Sequence, residues 1–290
     1  MNSPHSTPPL ATIFVLSAAA LAYEVLLVRL FSIIHWHHFA FMVISIALLG
    51  YGASGSMITI FQHRLLKHYQ SVLVFNAVMF GLSAIACFVA VQKMPFNSLE
   101  ILWDTNQWQR LFMSYLLLTL PFFFVANAIA LTMTRYHERI ALIYGVDLIG
   151  AGIGAVTILL LLQFFPPDAV LRIVSVLGIL AGWLAVYQLS WLGRMLVSSL
   201  LALVTVIILF APADWIELRL SEFKGLEQVL LINGSKHLQR QSSAISQIDV
   251  IESTEIPLRN APGMSMMSPS GTPDQLAVFS DGDEMTTIDK

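Results

Sequence analysis

Charge is what this chain has least of. Only 11% of its 290 residues are Asp, Glu, Lys or Arg, where a soluble globular domain carries about 25%. With 57% hydrophobic residues and a mean hydropathy of +0.74, that shortage excludes an ordinary soluble protein and points to an integral membrane protein. Basic charge is not in excess: the net charge is -3, so no basic patch is available to hold a nucleic acid. Cysteine is almost absent. Cys87 is the only one; it lies in an apolar run, cannot close an intrachain disulfide, and reads as a small packed hydrophobe. Residues 1–10 contain no Lys or Arg, which argues against a cleavable signal peptide and for a retained first helix.

What the chain does have is long apolar runs. A helix crosses a bilayer with about 20 residues, and seven runs reach that length: Leu10–Ile34, Phe39–Phe61, Ser71–Val91, Leu111–Met133, Ile140–Phe165, Val170–Leu189 and Trp191–Phe210. The connector before the fourth carries Trp103, Gln107 and Trp108, which suit a segment lying at an interface. Orientation is read from Lys and Arg. Arg64, Lys67, Arg135, Arg139 and Arg194 fall in connections two–three, four–five and six–seven, against Lys93, Arg110 and Arg172 on the other side and none in the N-terminal tail. The expected placement is the inner membrane, with the N-terminus outside and the C-terminal region in the cytoplasm.

The fifth run is the one the rest is organised around. Its glycines, in G-A-G-I-G-A from Gly150, suggest a phosphate loop only if a strand precedes them and a helix N-terminus follows. They lie instead inside a continuous apolar run. Gly150 and Gly154 are four apart, as are Ala151 and Ala155, which gives a flat face for close helix packing. Gly50, Gly52, Gly55 and Ser56 give the second run a similar face.

Asp147 stands in the same run and Glu24 and Arg29 in the first. A charge at membrane depth costs roughly 2.5–3.5 kcal/mol on insertion scales, so each should face the bundle interior and have a partner. Two arrangements are open. Arg29 pairs with Glu24 or Asp147 as a structural element, or Glu24, Arg29 and Asp147 line one polar cavity and form a functional site. His35, His37 and His38, with Trp36 among them, end the first run; three near-consecutive residues cannot all aim at one ion, so they read as an interfacial belt. No local motif supports a Ser/His/Asp or Cys/His site, and no catalytic, cofactor-binding or metal-ligating residue is assigned.

After Pro212 the composition changes. Asp214 can cap a short helix whose Ile216, Leu220, Phe223, Leu226 and Leu230 share one face, suited to lying on a membrane. From Ser246, S-Q-I-D-V-I-E-S alternates with Ile248, Val250 and Glu252 to one side, as a strand does. Pro262-Gly263 marks a turn. Gln275–Phe279 and Met285–Ile288 flank Asp281-Gly282, a hairpin signal.

Several segments together resemble the membrane-embedded relatives of spermidine synthase, in which a helical bundle is fused to an aminopropyltransferase-like domain. They are L-A-Y-E-V-L-L-V-R-L-F from Leu21, H-F-A-F-M-V-I-S-I-A-L-L-G-Y-G from His38, P-F-F-F from Pro121, Y-G-V-D-L-I-G-A-G-I-G from Tyr144, S-Q-I-D-V-I-E-S, A-P-G-M-S from Ala261 and D-G-D from Asp281. The resemblance implies decarboxylated S-adenosylmethionine or S-adenosylmethionine as cofactor for a Rossmann-like domain entered through a Gly-rich loop. No such loop follows Pro212. Asp283 and Glu284 stand where the soluble synthases carry a glutamine after the Asp-Gly.

The expectation is therefore an all-α polytopic membrane protein of about seven transmembrane helices with a short cytoplasmic C-terminal stub containing a β-hairpin. Its divisions are a tail (1–9), the bundle (10–211), an amphipathic linker (212–244) and an incomplete β region (245–290). Functionally it reads as the membrane-anchoring part of a spermidine synthase-like protein, without a cofactor of its own and partnered by the lipid bilayer and a separately encoded catalytic domain. The alternatives are a small transporter or channel for a cationic solute using Glu24 and Asp147, and a membrane scaffold without catalysis.

Overall fold

In a computed structural model of the chain, residues 7–34, 41–94, 96, 100, 102–187, 191–212, 216, 218, 220, 224–253 and 274–289 are described. Seven of its helices are long and apolar enough to cross a membrane. They are α1 (Leu10–Ile34), α2 (Met42–Lys67), α3 (Tyr69–Gln92), α4 (Thr105–Arg135), α5 (Ile140–Phe164), α6 (Pro167–Val186) and α7 (Trp191–Phe210). A six-residue helix, α8 (Gly225–Leu230), and four strands follow: β1 (Ser235–Ser242), β2 (Gln247–Ser253), β3 (Gln275–Ser280) and β4 (Glu284–Asp289).

α1 is the central helix. It packs on α5 and α6 and also touches α2 and α4. Tyr23, at its middle, is fully buried and meets Phe80 of α3 and Phe122 of α4 edge-on or tilted, while its hydroxyl donates to the Ala84 carbonyl at 3.2 Å. Among the described residues α7 is peripheral, with α6 as its main neighbour. α4 starts cleanly because the Asp104 side chain accepts the Asn106 amide at 3.0 Å, as an N-cap should. A buried polar rung ties α3 to α4: Asn127 Nδ2 donates to Asn76 Oδ1 at 3.1 Å.

Small residues set the closest approaches, as expected of Gly150 and Gly154. A Cβ on Gly150 would stand 2.5 Å from the Phe14 carbonyl oxygen, and one on Gly154 would run into the Ala18 carbonyl, so α5 lies directly on the α1 backbone. Gly81 and Gly178 do the same for α3 and α6. The face expected on α2 is divided. Gly50 is pressed on Phe122 of α4, but nothing lies within 4 Å of Gly52 or Gly55.

The contacts Gly150–Phe14 and Gly154–Ala18 run in the same order along both chains, so α1 and α5 are parallel. The described contacts place the chain's start at one end of the bundle and the sheet at the other, beside Ile33 and the α5–α6 connection. This removes the charge argument for orientation. The connections holding Arg64, Lys67, Arg135, Arg139 and Arg194 lie at the end where the N-terminus lies, so their charge cannot argue for placing that terminus outside. Among the described residues the sheet end holds Arg29, Lys93, Arg110, Arg172, Lys224, Lys236 and Arg240, seven against five at the other end.

The β region is larger than the hairpin and single strand read from the sequence. Its four strands form one antiparallel sheet in the order β1-β2-β3-β4. β1 lies within the stretch read as linker, because S-K-H-L-Q-R-Q-S carries no apolar alternation. The hairpin β3–β4 is as expected, with Asp281 (φ 51°) and Gly282 (φ 75°) both in the left-handed region. Its sheet face carrying Ala277, Phe279 and Ile251 buries a small core with Leu226 of α8. Thus α8 covers the sheet, where a membrane-lying helix was expected. Asp214 and Phe223 of that expected helix lie outside the described residues, as do His35, Trp36, His37, His38 and the Pro262-Gly263 turn.

β2 also faces the opposite way from a simple reading of its apolar residues. Ile248 is 44% exposed, whereas Asp249 and Ile251 are fully buried. The buried carboxylate is satisfied: Arg240 Nε donates to Asp249 Oδ1 at 2.6 Å, Gln247 Nε2 donates to Oδ2 at 3.0 Å, and His237 Nε2 lies 2.7 Å from Oδ1. Burial alone would raise its pKa, but these three partners hold it below the usual carboxylate range.

Candidate functional site

Two polar places stand out, and they divide the three residues that the sequence grouped. The first is a clasp between bundle and sheet. Arg29, near the end of α1, is 5% exposed, and its Nη1 donates to Asp281 Oδ2 at 2.8 Å. Ser32 Oγ, almost a turn further on, donates to the same oxygen at 2.9 Å. The other oxygen, Oδ1, accepts the Gln247 amide at 2.8 Å. Asp281 thus ties one membrane-type helix, the β3–β4 turn and the start of β2 together.

Lys224 closes the clasp from the linker. It is 1% exposed, and its Nζ donates to the Ser32 carbonyl at 2.9 Å and the Asp281 carbonyl at 2.5 Å. Burial lowers its pKa to about 8, with the Arg29 charge adding to that and the Asp281 and Asp283 carboxylates opposing it. Burial pushes Asp281 upward, but the Arg29 guanidinium, the Gln247 amide and the Ser32 hydroxyl together hold it below its ordinary value. Gly282 completes the fit, since a Cβ there would meet Leu220 at 3.1 Å and the Lys224 stem at 3.3 Å. The expected partnership of Arg29 with Glu24 or Asp147 is therefore replaced. Its partner is Asp281, 252 positions away.

The second place is a crevice of about 320 Å³. α1 and α4 form its floor through Ser17, Ala20, Ala126 and Ala130, and α2 and α5 form its walls through Ser54, Gly55, Asp147 and Ala151. These short side chains are why space remains there. Ser17 Oγ donates to Asp147 Oδ1. Ser54 is fully buried, and its hydroxyl has no partner among the described residues. Tyr51 lines the same crevice and lies in the electrostatic field of both Glu24 and Asp147. Glu24 itself is half-buried, and neither carboxylate has a basic partner among the described residues.

The clasp is structural chemistry: a charge pair, two backbone carbonyls and an ammonium bind one another, with Arg29 Nε and Nη2 left without a partner among the described residues. The crevice is different in kind, because it combines an acidic side chain without a basic partner among the described residues, an unsatisfied hydroxyl and empty volume. No group of three His, Cys, Asp or Glu side chains suited to a metal occurs among the described residues. Compared with protein-family models, with curated proteins and with solved structures, the chain gives no match. The resemblance to the membrane-embedded relatives of spermidine synthase rests on the quoted residues alone.

Sequence reasoning found Arg29, Glu24 and Asp147 as polar groups in apolar runs, and the Asp281-Gly282 turn as a hairpin. It did not join Arg29 to Asp281, and nothing local could have. Ser17 and Ser54 carry no signal of their own, being small residues in helices rich in them. Lys224 could have been suspected only as a lone cation close to the hairpin's three acidic residues once the fold was known.

Proposed function

We propose that the seven-helix bundle is embedded in a membrane and serves as the anchoring part of a spermidine synthase-like protein. Catalysis would then reside in an adenosyl-binding domain that is not among these residues, encoded separately or elsewhere in a longer protein. The observation that carries this reading is the clasp. A sheet joined to the bundle only by a linker could sit anywhere, whereas one fastened through Asp281 to Arg29, Ser32 and Lys224 presents its outer face in a fixed orientation to whatever binds there. That face carries Ile248, Val250, Val278 and Ile288, with Ile248 and Ile288 44% and 56% exposed, an apolar composition suited to protein–protein burial. The reading requires the sheet to face the compartment that holds the adenosyl cofactor, the cytoplasm.

The test is purification of the chain from its own cells in mild detergent, followed by native mass measurement. Retention in the membrane after alkaline extraction, and a co-purifying chain with a Gly-rich adenosyl-binding domain, are the expected results. Release into the alkaline supernatant would end the membrane reading. Recovery of the chain by itself, or only with copies of itself, would end the spermidine synthase-like reading while leaving the membrane reading intact.

A further inference from the structure

We infer that the crevice between α2 and α5 is a binding site for a primary amine carried on an apolar body and entering from the lipid phase. The inference needs the bundle to be membrane-embedded, as proposed above, but not the resemblance to spermidine synthase. Three observations carry it. The crevice is lined mainly by small and apolar side chains, with about 320 Å³ of space, which suits an alkyl body. Asp147 projects into it and keeps one carboxylate oxygen for which Ser17 is not the donor. The fully buried Ser54 hydroxyl, without a partner among the described residues, lines the same space.

An ammonium matches this set better than other polar groups. It has three donors and no acceptor, and Asp147, Ser54 and Tyr51 offer three oxygens. It also supplies the positive charge that Asp147 lacks from the protein, at a depth where an unpaired carboxylate is costly. An anionic headgroup would meet Asp147 and Glu24 with the wrong sign. A neutral alcohol would satisfy Ser54 but leave the carboxylate uncompensated. The ammonium could belong to a free amphiphilic amine or to an amine-bearing lipid headgroup.

The experiment uses the full chain in nanodiscs of phosphatidylcholine, a lipid without a primary amine, titrated with octylamine and, separately, with octanol while thermal unfolding is followed. Octylamine is expected to raise the melting temperature saturably and octanol to leave it unchanged. Asp147→Asn should raise the half-maximal octylamine concentration about tenfold or more, the scale of one hydrogen bond to a charged group. Gly55→Leu should abolish the response by filling the crevice. Nothing lies within 4 Å of a Cβ at Gly55, so this variant meets no backbone and is expected to fold, and it decides the matter even if Asp147→Asn does not fold. Equal effects of octanol and octylamine, no response to octylamine, or an undiminished response in Gly55→Leu would each overturn the inference. Native mass measurement of protein from its own cells separates the sources: adducts of phosphatidylethanolamine displaced by octylamine identify the headgroup, and displaced adducts of a smaller amine identify a free amine. Release from the membrane on alkaline extraction would defeat the membrane reading separately.

Discussion

Arg29 gives up nearly all contact with solvent to hold Asp281, and a buried pair of this kind is felt most when one member is removed. The cost is about 3–5 kcal/mol for a fully buried pair. Because the Asp281 side chain keeps 19% exposure, about 2–3 kcal/mol is expected for Asp281→Ala, or a thirtyfold or larger shift in the docking equilibrium. Limited trypsin digestion reads it directly, since Lys236 and Arg240 are exposed on β1. Cleavage there should speed up with the bundle still intact, and an unchanged rate would show that the clasp does not hold the sheet. The same residues set a pH dependence. Asp281 lies below its ordinary value, so its contribution is complete above the usual carboxylate range and is lost as pH falls through its lowered folded value. Lys224, brought down to about 8 from 10.5, acts in the same direction at higher pH. Between those values the unfolded chain holds more protons than the folded one, so docking gains stability as pH rises from about 8 towards 10.5. Protection of β1 from a protease active across the range should therefore be weakest in acid and should increase above pH 8. Lys224→Met should remove the alkaline increase and spare the acidic loss; an alkaline increase that survives the substitution would assign it to another group.

Helices and strands differ here in how far their own residues determine them. Each membrane-type helix was legible as a run, because apolar length is a local property and the bounds of α1 follow from its composition alone. The Gly150–Gly154 face was legible too, since its spacing is helical. Which glycines meet a neighbour was not, and Gly52 and Gly55 resemble Gly50 until the position of α4 is known. This yields a paired prediction. Gly154→Leu forces a side chain into the Ala18 backbone and should cost at least the 1–3 kcal/mol typical of overpacking, seen as a lower melting temperature in detergent. Gly152→Leu, where nothing lies within 4 Å, should leave it nearly unchanged. Equal losses in both would mean that α5 does not pack on α1 as described. The strands were harder to read. β1 was passed over because its buried work is polar: His237 and Arg240 serve Asp249 on the neighbouring strand. For the same reason β2 turns its aspartate inward and leaves Ile248 outside, a choice that residue hydrophobicity opposes and only the cross-strand partners explain.

At the scale of the whole molecule, seven membrane-type helices, an odd number, put the two described ends of the chain at opposite ends of the bundle, and that is more robust than the basic residues used to orient it. Among the described residues they divide nearly evenly once the sheet end is counted: Arg64, Lys67, Arg135, Arg139 and Arg194 at one end, Arg29, Lys93, Arg110, Arg172, Lys224, Lys236 and Arg240 at the other. The positive-inside rule has little to act on when the two ends differ by so few basic residues. Orientation then follows from function: if the sheet presents a face to an adenosyl-binding partner, its end of the bundle must be cytoplasmic. Single cysteines test this with little background, because Cys87 is buried in α3. Thr7 and Asp283 are both exposed, at opposite ends of the bundle. In intact cells a membrane-impermeant maleimide should label Thr7→Cys and not Asp283→Cys, and permeabilisation should expose the second. The reverse pattern would keep seven crossings but set the sheet outside, away from any adenosyl cofactor, and so would reject the anchoring function. Labelling of both sites in intact cells would contradict the odd number of crossings itself.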